Sequence, residues 1–344
     1  MPALTRMARS WSWVAGENGV TVDFLLAKTF QTYSGREMAG KNATERLDAG
    51  GAGIAKAARI LERGGLVAVP TETVYGLAAR ADDAAAVARI YEAKGRPSFN
   101  PLIVHVRDVA HARQLAEWNA VADGLAALHW PGPLTLVLPL RAGAGLSPQV
   151  TAGLPTIALR VPAHTVMSEL LSACAFPLAA PSANRSGFIS PTSANHVLAS
   201  LDGRIDAVLD AGPTERGVES TIVAVRGDGT LEELRPGPVR IAAAVGAIGK
   251  AIEVPGQLAS HYAPGKPVRL NAEEAGEGEF LIGFGPVAGD VTLSGSGDLA
   301  EAASRLYACL HAAAGSDKPC IAIAPVPIEG IGIAINDRLR RAAA

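Results

Sequence analysis

Lys94 and Arg96 flank Gly95 at the end of a stretch with helical spacing, and Ser98 and Asn100 follow in the same short loop. Two cations there could simply relieve the negative C-terminus of a helix. With Pro97 fixing the backbone and two neutral hydrogen-bonding side chains added, the same residues would clamp a polyanion, and Arg supplies a bidentate geometry that Lys lacks. A second cluster, Pro181-Ser182-Ala183-Asn184-Arg185-Ser186-Gly187, sets small hydroxyls and an amide on a loop after an apolar run, with Ser190-Pro191-Thr192 close behind. Capping of the next helix accounts for Ser193 and extends to Ser190, but it leaves Ser182 and Asn184 without a structural reason. Arg160 interrupts the otherwise apolar residues 156–161. A charge on a buried strand needs a partner carboxylate or an anionic ligand. His105 sits in the same way within residues 102–106, where a satisfied core histidine is the competing explanation. Glu219-Ser220-Thr221 opens one further strand, and Arg235-Pro236-Gly237 closes a neighbouring segment, where an arginine is usually a surface ion pair.

Several other chemistries are excluded by context. No G-x-x-x-x-G-K-[ST] occurs, Gly51-Ala52-Gly53 precedes a helix but follows no strand, and Gly283-Phe284-Gly285 lacks the third glycine of a dinucleotide fingerprint. There is no nucleophile elbow with a Ser-His-Asp order, no H-E-x-x-H and no closely paired carboxylates of glycosidase character. What is left is positioning plus charge stabilisation, as in phosphoryl or nucleotidyl transfer, with Mg²⁺ bridging phosphates.

These residues need a scaffold. The stripe Ile54, Ala57, Ala58, Leu61 predicts a helix stopped at Gly64-Gly65, so ordered structure is expected from about Gly53. A second helix is predicted over 84–93, capped by Asp82 or Asp83 and ended at Lys94-Gly95. Strands are predicted over 66–69, 102–106, 134–138, 156–161, 177–180, 207–209 and 221–225. Helices are predicted over 164–173, after Ser193 and over 241–248, and residues 71–77 read as a polar loop. Strands and helices mix without strict alternation, which favours an α/β chain of the α+β or mixed-sheet kind over a doubly wound one. Pro- and Gly-rich residues 254–267 read as a linker. Beyond it, strands over 280–284 and 321–324, a helix over 298–313 and a last helix over 333–341 make a small α/β domain.

Composition narrows the class. The chain has 344 residues and a net charge of −2, from 31 Lys+Arg against 33 Asp+Glu. That removes the basic footprint of a dedicated nucleic-acid binder. Hydrophobic residues make up 49%, which excludes disorder over most of the chain, and 37 glycines with 23 prolines point to many turns. Cys174, Cys309 and Cys320 are too few and too far apart for a disulfide framework or a zinc site, so a reducing, cytoplasmic setting is expected. No uninterrupted apolar run approaches the ~20 residues of a membrane helix. The first 37 residues lack the order of a secretory signal, and Glu17 and Asp23 argue against a transit peptide despite Arg6, Arg9 and Ser10. Met38 offers an alternative start.

At this point the chain resembles a known family. Pro70-Thr71-Glu72-Thr73-Val74-Tyr75-Gly76-Leu77, Lys94-Gly95-Arg96-Pro97 with Asn100-Pro101-Leu102, and Pro181 to Gly187 are similar to motifs of the YrdC-like threonylcarbamoyl-AMP synthases. So are Gly217-Val218-Glu219-Ser220-Thr221-Ile222-Val223, Leu234-Arg235-Pro236-Gly237 and Ser260-His261-Tyr262-Ala263-Pro264, the last being a mark of the longer, two-domain form. The resemblance implies a YrdC-like twisted mixed sheet with flanking helices over 51–254, a linker over 255–266, and a small C-terminal α/β Rossmann-like domain over 267–344. Residues 1–50 become an N-terminal extension, expected to be poorly ordered. The implied activity converts L-threonine, bicarbonate (or CO2) and ATP with Mg²⁺ into threonylcarbamoyl-AMP and pyrophosphate, for modification of adenosine 37 in tRNA by a threonylcarbamoyl transferase complex.

Carried over position by position, the resemblance implies that Thr73, His105, Arg160, Ala180 and Ser220 line a threonine pocket. It puts Arg96, Asn100, Thr156, Ser182, Ser190, Arg235 and Tyr262 on ATP, and Lys94, Arg96, Ser182 and Asn184 on the reacting phosphates or carboxyl. It implies no protein metal ligand. Tyr262, in the linker, would belong to a lid over the occupied site. Three other readings compete. An RNA-binding module, with weak contact to tRNA or double-stranded RNA, is disfavoured by the net charge and by 5% aromatics. The carbamoyl-adenylate chemistry of hydrogenase maturation lacks its Cys-rich zinc motifs here. The third is a ligand sensor without catalysis.

Overall fold

Short apolar runs punctuated by proline and glycine become the strands of one large mixed sheet. The structure is a computed structural model that describes residues 43–242, 244–245, 253–256 and 261–344. Its first eleven strands are β1 (Glu45–Asp48), β2 (Val67–Val69), β3 (Gly76–Arg80), β4 (Ile103–His105), β5 (Leu134–Pro139), β6 (Thr156–Arg160), β7 (Leu178–Ala179), β8 (Ala207–Asp210), β9 (Thr221–Val225), β10 (Leu231–Arg235) and β11 (Ala244–Val245). They form a single sheet in the order β1-β8-β2-β3-β7-β4-β6-β5-β9-β10-β11. Parallel pairs such as β4 with β6 and β5 with β9 alternate with antiparallel ones such as β5 with β6. Six helices cover it: α1 (Gly51–Glu62), α2 (Ala84–Lys94), α3 (Val109–Leu115), α4 (Ala120–His129), α5 (Thr165–Ala173) and α6 (Ala194–Leu201).

The period of two along the strands divides the core. Val67, Val69 and Ala78 pack with α1 and α5, whereas Ala68, Leu77 and Ala79 pack with α2 and α6. Alternate side chains on a strand point to opposite faces, so the two helix sets are two layers with the sheet between them. The C-terminal part has its own sheet of β12 (Val268–Leu270), β13 (Glu279–Gly283), β14 (Val291–Thr292) and β15 (Cys320–Ile323), all parallel in the order β12-β15-β13-β14, with α7 (Leu299–Gly315) and α8 (Gly332–Ala342). Among the described residues no helix is long and apolar enough to cross a membrane.

Three expectations are corrected. Glu45–Asp48, read as part of an extension, pairs in parallel with Ala207–Asp210 as β1, and Arg46 bonds Asp210, so the fold starts before Gly53. The helix expected over 241–248 is absent where it can be described: Ala244–Val245 is a strand paired with β10, and 243 and 246–248 lie outside the described residues. Its alanine richness suits a helix, and pairing with the open edge of β10 overrides that propensity. The loop read over 71–77 ends early, because Gly76 and Leu77 already pair with Val69 and Ala68.

The C-terminal domain docks on loops of the large sheet through one shared core. Val74, Ile189 and Val218 pack there with Leu306, Tyr307 and Leu310 of α7. Gly217 makes the close approach possible. Its φ is +68°, and a Cβ there would lie 2.4 Å from the Ala303 carbonyl oxygen and 2.5 Å from the Ser304 Cα. Gly217→Ala should therefore cost about 3 kcal/mol, combining left-handed strain with a backbone overlap that cannot be relieved by a rotamer change. A denaturant midpoint unchanged from the parent protein would contradict this packing.

Candidate functional site

Strand ends and loops of the large sheet, together with the linker, line a cavity of about 40 Å³. That is room for one to a few waters. Of the anticipated residues, Thr73, Arg96, His105, Arg160, Ala180, Ser182, Ser220, Arg235 and Tyr262 line it. Pro255, Gly256 and His261 bring the linker into the same wall.

β6 delivers Arg160 to one end. Its guanidinium is buried and donates from Nη2 to Glu72 Oε1 (2.6 Å), from Nη1 to Thr73 Oγ1 (3.0 Å) and from Nε to the Gly132 carbonyl (3.3 Å). His105, paired with Arg160 across β4 and β6, is forced down to about 3 by burial and by the Arg160 charge, so its ring is neutral. Ser220 Oγ is 2.8 Å from Thr135 Oγ1.

The other end is more cationic. α2 is capped by Asp83, whose side chain accepts from Ala85 N and Ala86 N, and it closes at Gly95 in the left-handed region (φ 59°). That turn buries Lys94 and brings Arg96 to the cavity. Lys94 Nζ donates to the carbonyls of Ser182 (2.6 Å) and Asn184. Arg96 donates to the carbonyls of Asn100 (3.2 Å) and Pro101 (2.9 Å). Arg235 donates to the Ser220 carbonyl (2.9 Å) and hydroxyl (3.2 Å). Burial, and then the Arg96 charge, push Lys94 well below the ordinary lysine value, and burial brings Arg96 to about 10. All three donate only to neutral oxygens, and while Arg235 feels the Glu219 charge, Lys94 and Arg96 are buried without a carboxylate, which is costly unless an anion completes the site.

Five anticipated residues stand behind the wall or away from it. Lys94 and Asn184 brace the loop after β7. Asn100 is buried with its Oδ1 unpartnered. Ser190 is fully buried and donates to Glu219 Oε1 at 2.6 Å. Thr156 begins β6, four residues from Arg160, hence about 13 Å along the strand. Unpartnered buried atoms gather on the surrounding residues: Glu72 Oε2, Asn100 Oδ1, Asn184 Oδ1 and the Nδ1 atoms of His105 and His261. Such orphans are rare in folded proteins and point to a polar ligand.

Sequence reasoning did not select Glu72 or Glu219, although both lie inside quoted motifs. Nor did it find Tyr307 and Arg338, which reach Glu219 from the C-terminal domain. Helical spacing puts Arg338 on the buried stripe of α8 with Ala334, Ile335 and Ala342 and leaves Arg340 exposed, but that spacing does not name Glu219 as its partner.

Comparison with known proteins shows the family and the fold. The Sua5/YciO/YrdC family model, described as Telomere recombination, matches residues 59–237, and one described as Threonylcarbamoyl-AMP synthase, C-terminal domain, matches 229–344. A Bacillus subtilis protein named threonylcarbamoyl-AMP synthase is 40% identical over 335 residues, covering 88% of this chain and 96% of that protein. One of the same name from Pyrococcus abyssi is 39% identical over 319 residues, covering 83% of this chain and 92% of that protein. The crystal structure of P. abyssi Sua5 complexed with L-threonine superposes with a TM-score of 0.81 at 35% identity, covering 88% of this chain and 98% of that one. Matched along nearly its whole described length, the chain belongs to the Sua5/YciO/YrdC family, in the two-domain form that carries the threonylcarbamoyl-AMP synthase C-terminal domain.

Proposed function

We propose that this chain makes L-threonylcarbamoyl-AMP and pyrophosphate from L-threonine, bicarbonate or CO2, and ATP. The observation that carries the reading is the set of buried cations, Lys94, Arg96 and Arg235, beside a small polar cavity: all three donate their hydrogen bonds to neutral oxygens, and Glu219 is a buried anion near Arg235 alone. Such a site suits a polyanion. The Arg160 end, balanced by Glu72 and faced by neutral His105, suits a net-neutral zwitterion such as threonine. Arg160 would hold the threonine carboxylate, Thr73 and Ser220 its polar groups, and Ala180 would leave room for the side chain.

The threonine ammonium gives one proton to solvent, the free amine adds to the carbon of CO2 (from bicarbonate by uptake of a proton and loss of water), and a second proton leaves the nitrogen to solvent, which gives a carbamate. A carbamate oxygen then attacks the α-phosphorus of ATP, and the bond to the bridging oxygen breaks as pyrophosphate leaves. Lys94 and Arg96, with Ser182 and Asn184, would spread the charge that builds on the phosphates, and Arg235 would steady the nucleotide. Asn100, Thr156 and Ser190 would come to the nucleotide only after movement of the walls they stand behind. Mg²⁺ would arrive on the ATP phosphates and neutralise part of their charge. Both Glu219 oxygens already accept hydrogen bonds, and among the described residues no group of three His, Cys, Asp or Glu could hold a metal. The linker residues in the cavity wall would have to move to admit ATP and would then exclude water from the labile mixed anhydride, Tyr262 among them. A cytoplasmic tRNA threonylcarbamoyl transferase complex would consume the product.

The test is pyrophosphate release with ATP and Mg²⁺, omitting threonine and bicarbonate in turn, with the product mass read in parallel. Release that needs both, with the threonylcarbamoyl-AMP mass present, is expected. Release indifferent to threonine, or none in the complete mixture, would overturn the proposal.

A further inference from the structure

Glu219 is an odd residue to find in the wall of a polyanion site. It is 6% exposed, and burial favours its neutral form. The Arg338 and Arg235 charges and the Ser190 and Tyr307 hydroxyls outweigh burial and hold it ionised, at about 2. Two of those four groups come from the C-terminal domain. Tyr307 Oη on α7 donates to both carboxylate oxygens, at 3.0 and 2.8 Å, and Arg338 Nε on α8 donates to Oε2 at 3.1 Å. Arg338 is wholly buried. It also donates to the Pro236 carbonyl at 2.7 Å, and its guanidinium lies 5.7 Å from the Tyr262 ring, which stacks at 5.6 Å on Tyr307. Arg235 is shared with the Ser220 oxygens, so without Arg338 the carboxylate would face the nucleotide end with its charge poorly compensated.

We infer that Arg338 is a positioning and charge-balancing residue: through Glu219 it removes a repulsion that would otherwise weaken ATP, but not threonine, at the cavity. The C-terminal domain is then a source of counter-charge for the nucleotide site, although none of its residues lines the cavity. Because threonine is a zwitterion with no net charge, the unbalanced carboxylate discriminates between the two ligands. A loss of fold would not.

This rests on the reading that the cavity takes ATP and threonine, and calorimetric binding of each to the full chain separates the two claims. In Arg338→Met, ATP should bind about tenfold or more weakly, within the range of coupling between adjoining elements. Threonine should stay within about twofold. Adding Glu219→Gln removes the stranded charge, and the double variant should recover most of the ATP affinity. Unchanged ATP binding in Arg338→Met, equal loss of both ligands, or a double variant no better than the single one would each overturn the inference. If Arg338→Met does not fold, Arg338→Lys and the double variant, neither of which leaves an uncompensated buried charge, must both bind ATP nearly as the parent does. Weak binding by either overturns it. Parent protein that binds no ATP would instead sink the functional reading.

Discussion

Arg160→Ala should lower threonine-dependent product formation by roughly 10²–10³-fold, with most of the loss in KM for threonine. Arg160 lines the cavity beside Thr73, and three of its contacts fix its plane: Glu72, Thr73 and the Gly132 carbonyl. Truncation also strands Glu72, which is 3% exposed and has one oxygen already without a partner. Leaving a buried carboxylate alone costs about 3–5 kcal/mol. Activity and stability should therefore fall together in this variant, and the activity loss alone would not identify a role for Arg160. The pair Arg160→Met with Glu72→Gln separates the two effects. Neutral Gln beside apolar Met leaves no buried charge, so the urea midpoint should return most of the way to that of the parent. Threonine-dependent turnover should stay as low as in Arg160→Ala. A double variant that regains both stability and activity would reduce Arg160 to a structural ion pair and move the carboxylate site elsewhere.

Part of this site was legible in the sequence for one physical reason. Charged side chains in runs otherwise made of Val, Leu, Ile and Ala cannot be buried without a purpose, and Arg160 and His105 stand out on that ground, whereas Arg235 reads as a surface ion pair and Ser220 as the start of a strand until the family resemblance singles them out. The helices and strands that carry them were legible from periodicity and from punctuation by Gly and Pro, as at Asp83 and Gly95 around α2. The failures also have causes. β1 is a polar, four-residue edge strand whose only apolar inward residue is Leu47, so it carries no strand signal of its own and forms because β8 offers an edge. Glu72 and Glu219 sit between residues with clear roles, and nothing in a linear pattern tells a carboxylate that pairs an arginine in the core from one in solvent. Arg338 falls on the apolar stripe of its helix with Ala334, Ile335 and Ala342, but an arginine there also reads as one that covers apolar surface with its stem and keeps its head in water, and only the docking of the helix shows that it meets Glu219 and Tyr262.

Acid should unfold this protein steeply, through histidines that the fold keeps neutral. His105, His261 and His311 are each brought from 6.5 to about 3, in every case chiefly by burial. Neighbouring cations add to it: Arg160 beside His105, and Lys94, Arg96 and Arg235 around His261, where the Glu219 charge opposes them. His311 stacks at 3.9 Å on His196, itself lowered by burial, so charging either ring discourages charging the other. Between pH 6.5 and 3 the unfolded chain binds protons on these rings that the folded chain does not, so stability rises with pH across this window and is lost as pH falls. Near pH 5 the slope should approach about 4 kcal/mol per pH unit if all three rings stay neutral in the fold. Below 4.5 Glu219 acts in the same direction, since its folded value of about 2 means its stabilisation disappears on protonation. The urea midpoint should be nearly flat above pH 7 and fall sharply from about 6.5 downward, and His311→Gln should remove about a third of the slope near pH 5. A midpoint that stays flat to pH 5 would mean that the rings take up protons inside the folded protein. The walls around Arg160 and the linker would then be open to water rather than closed over the site.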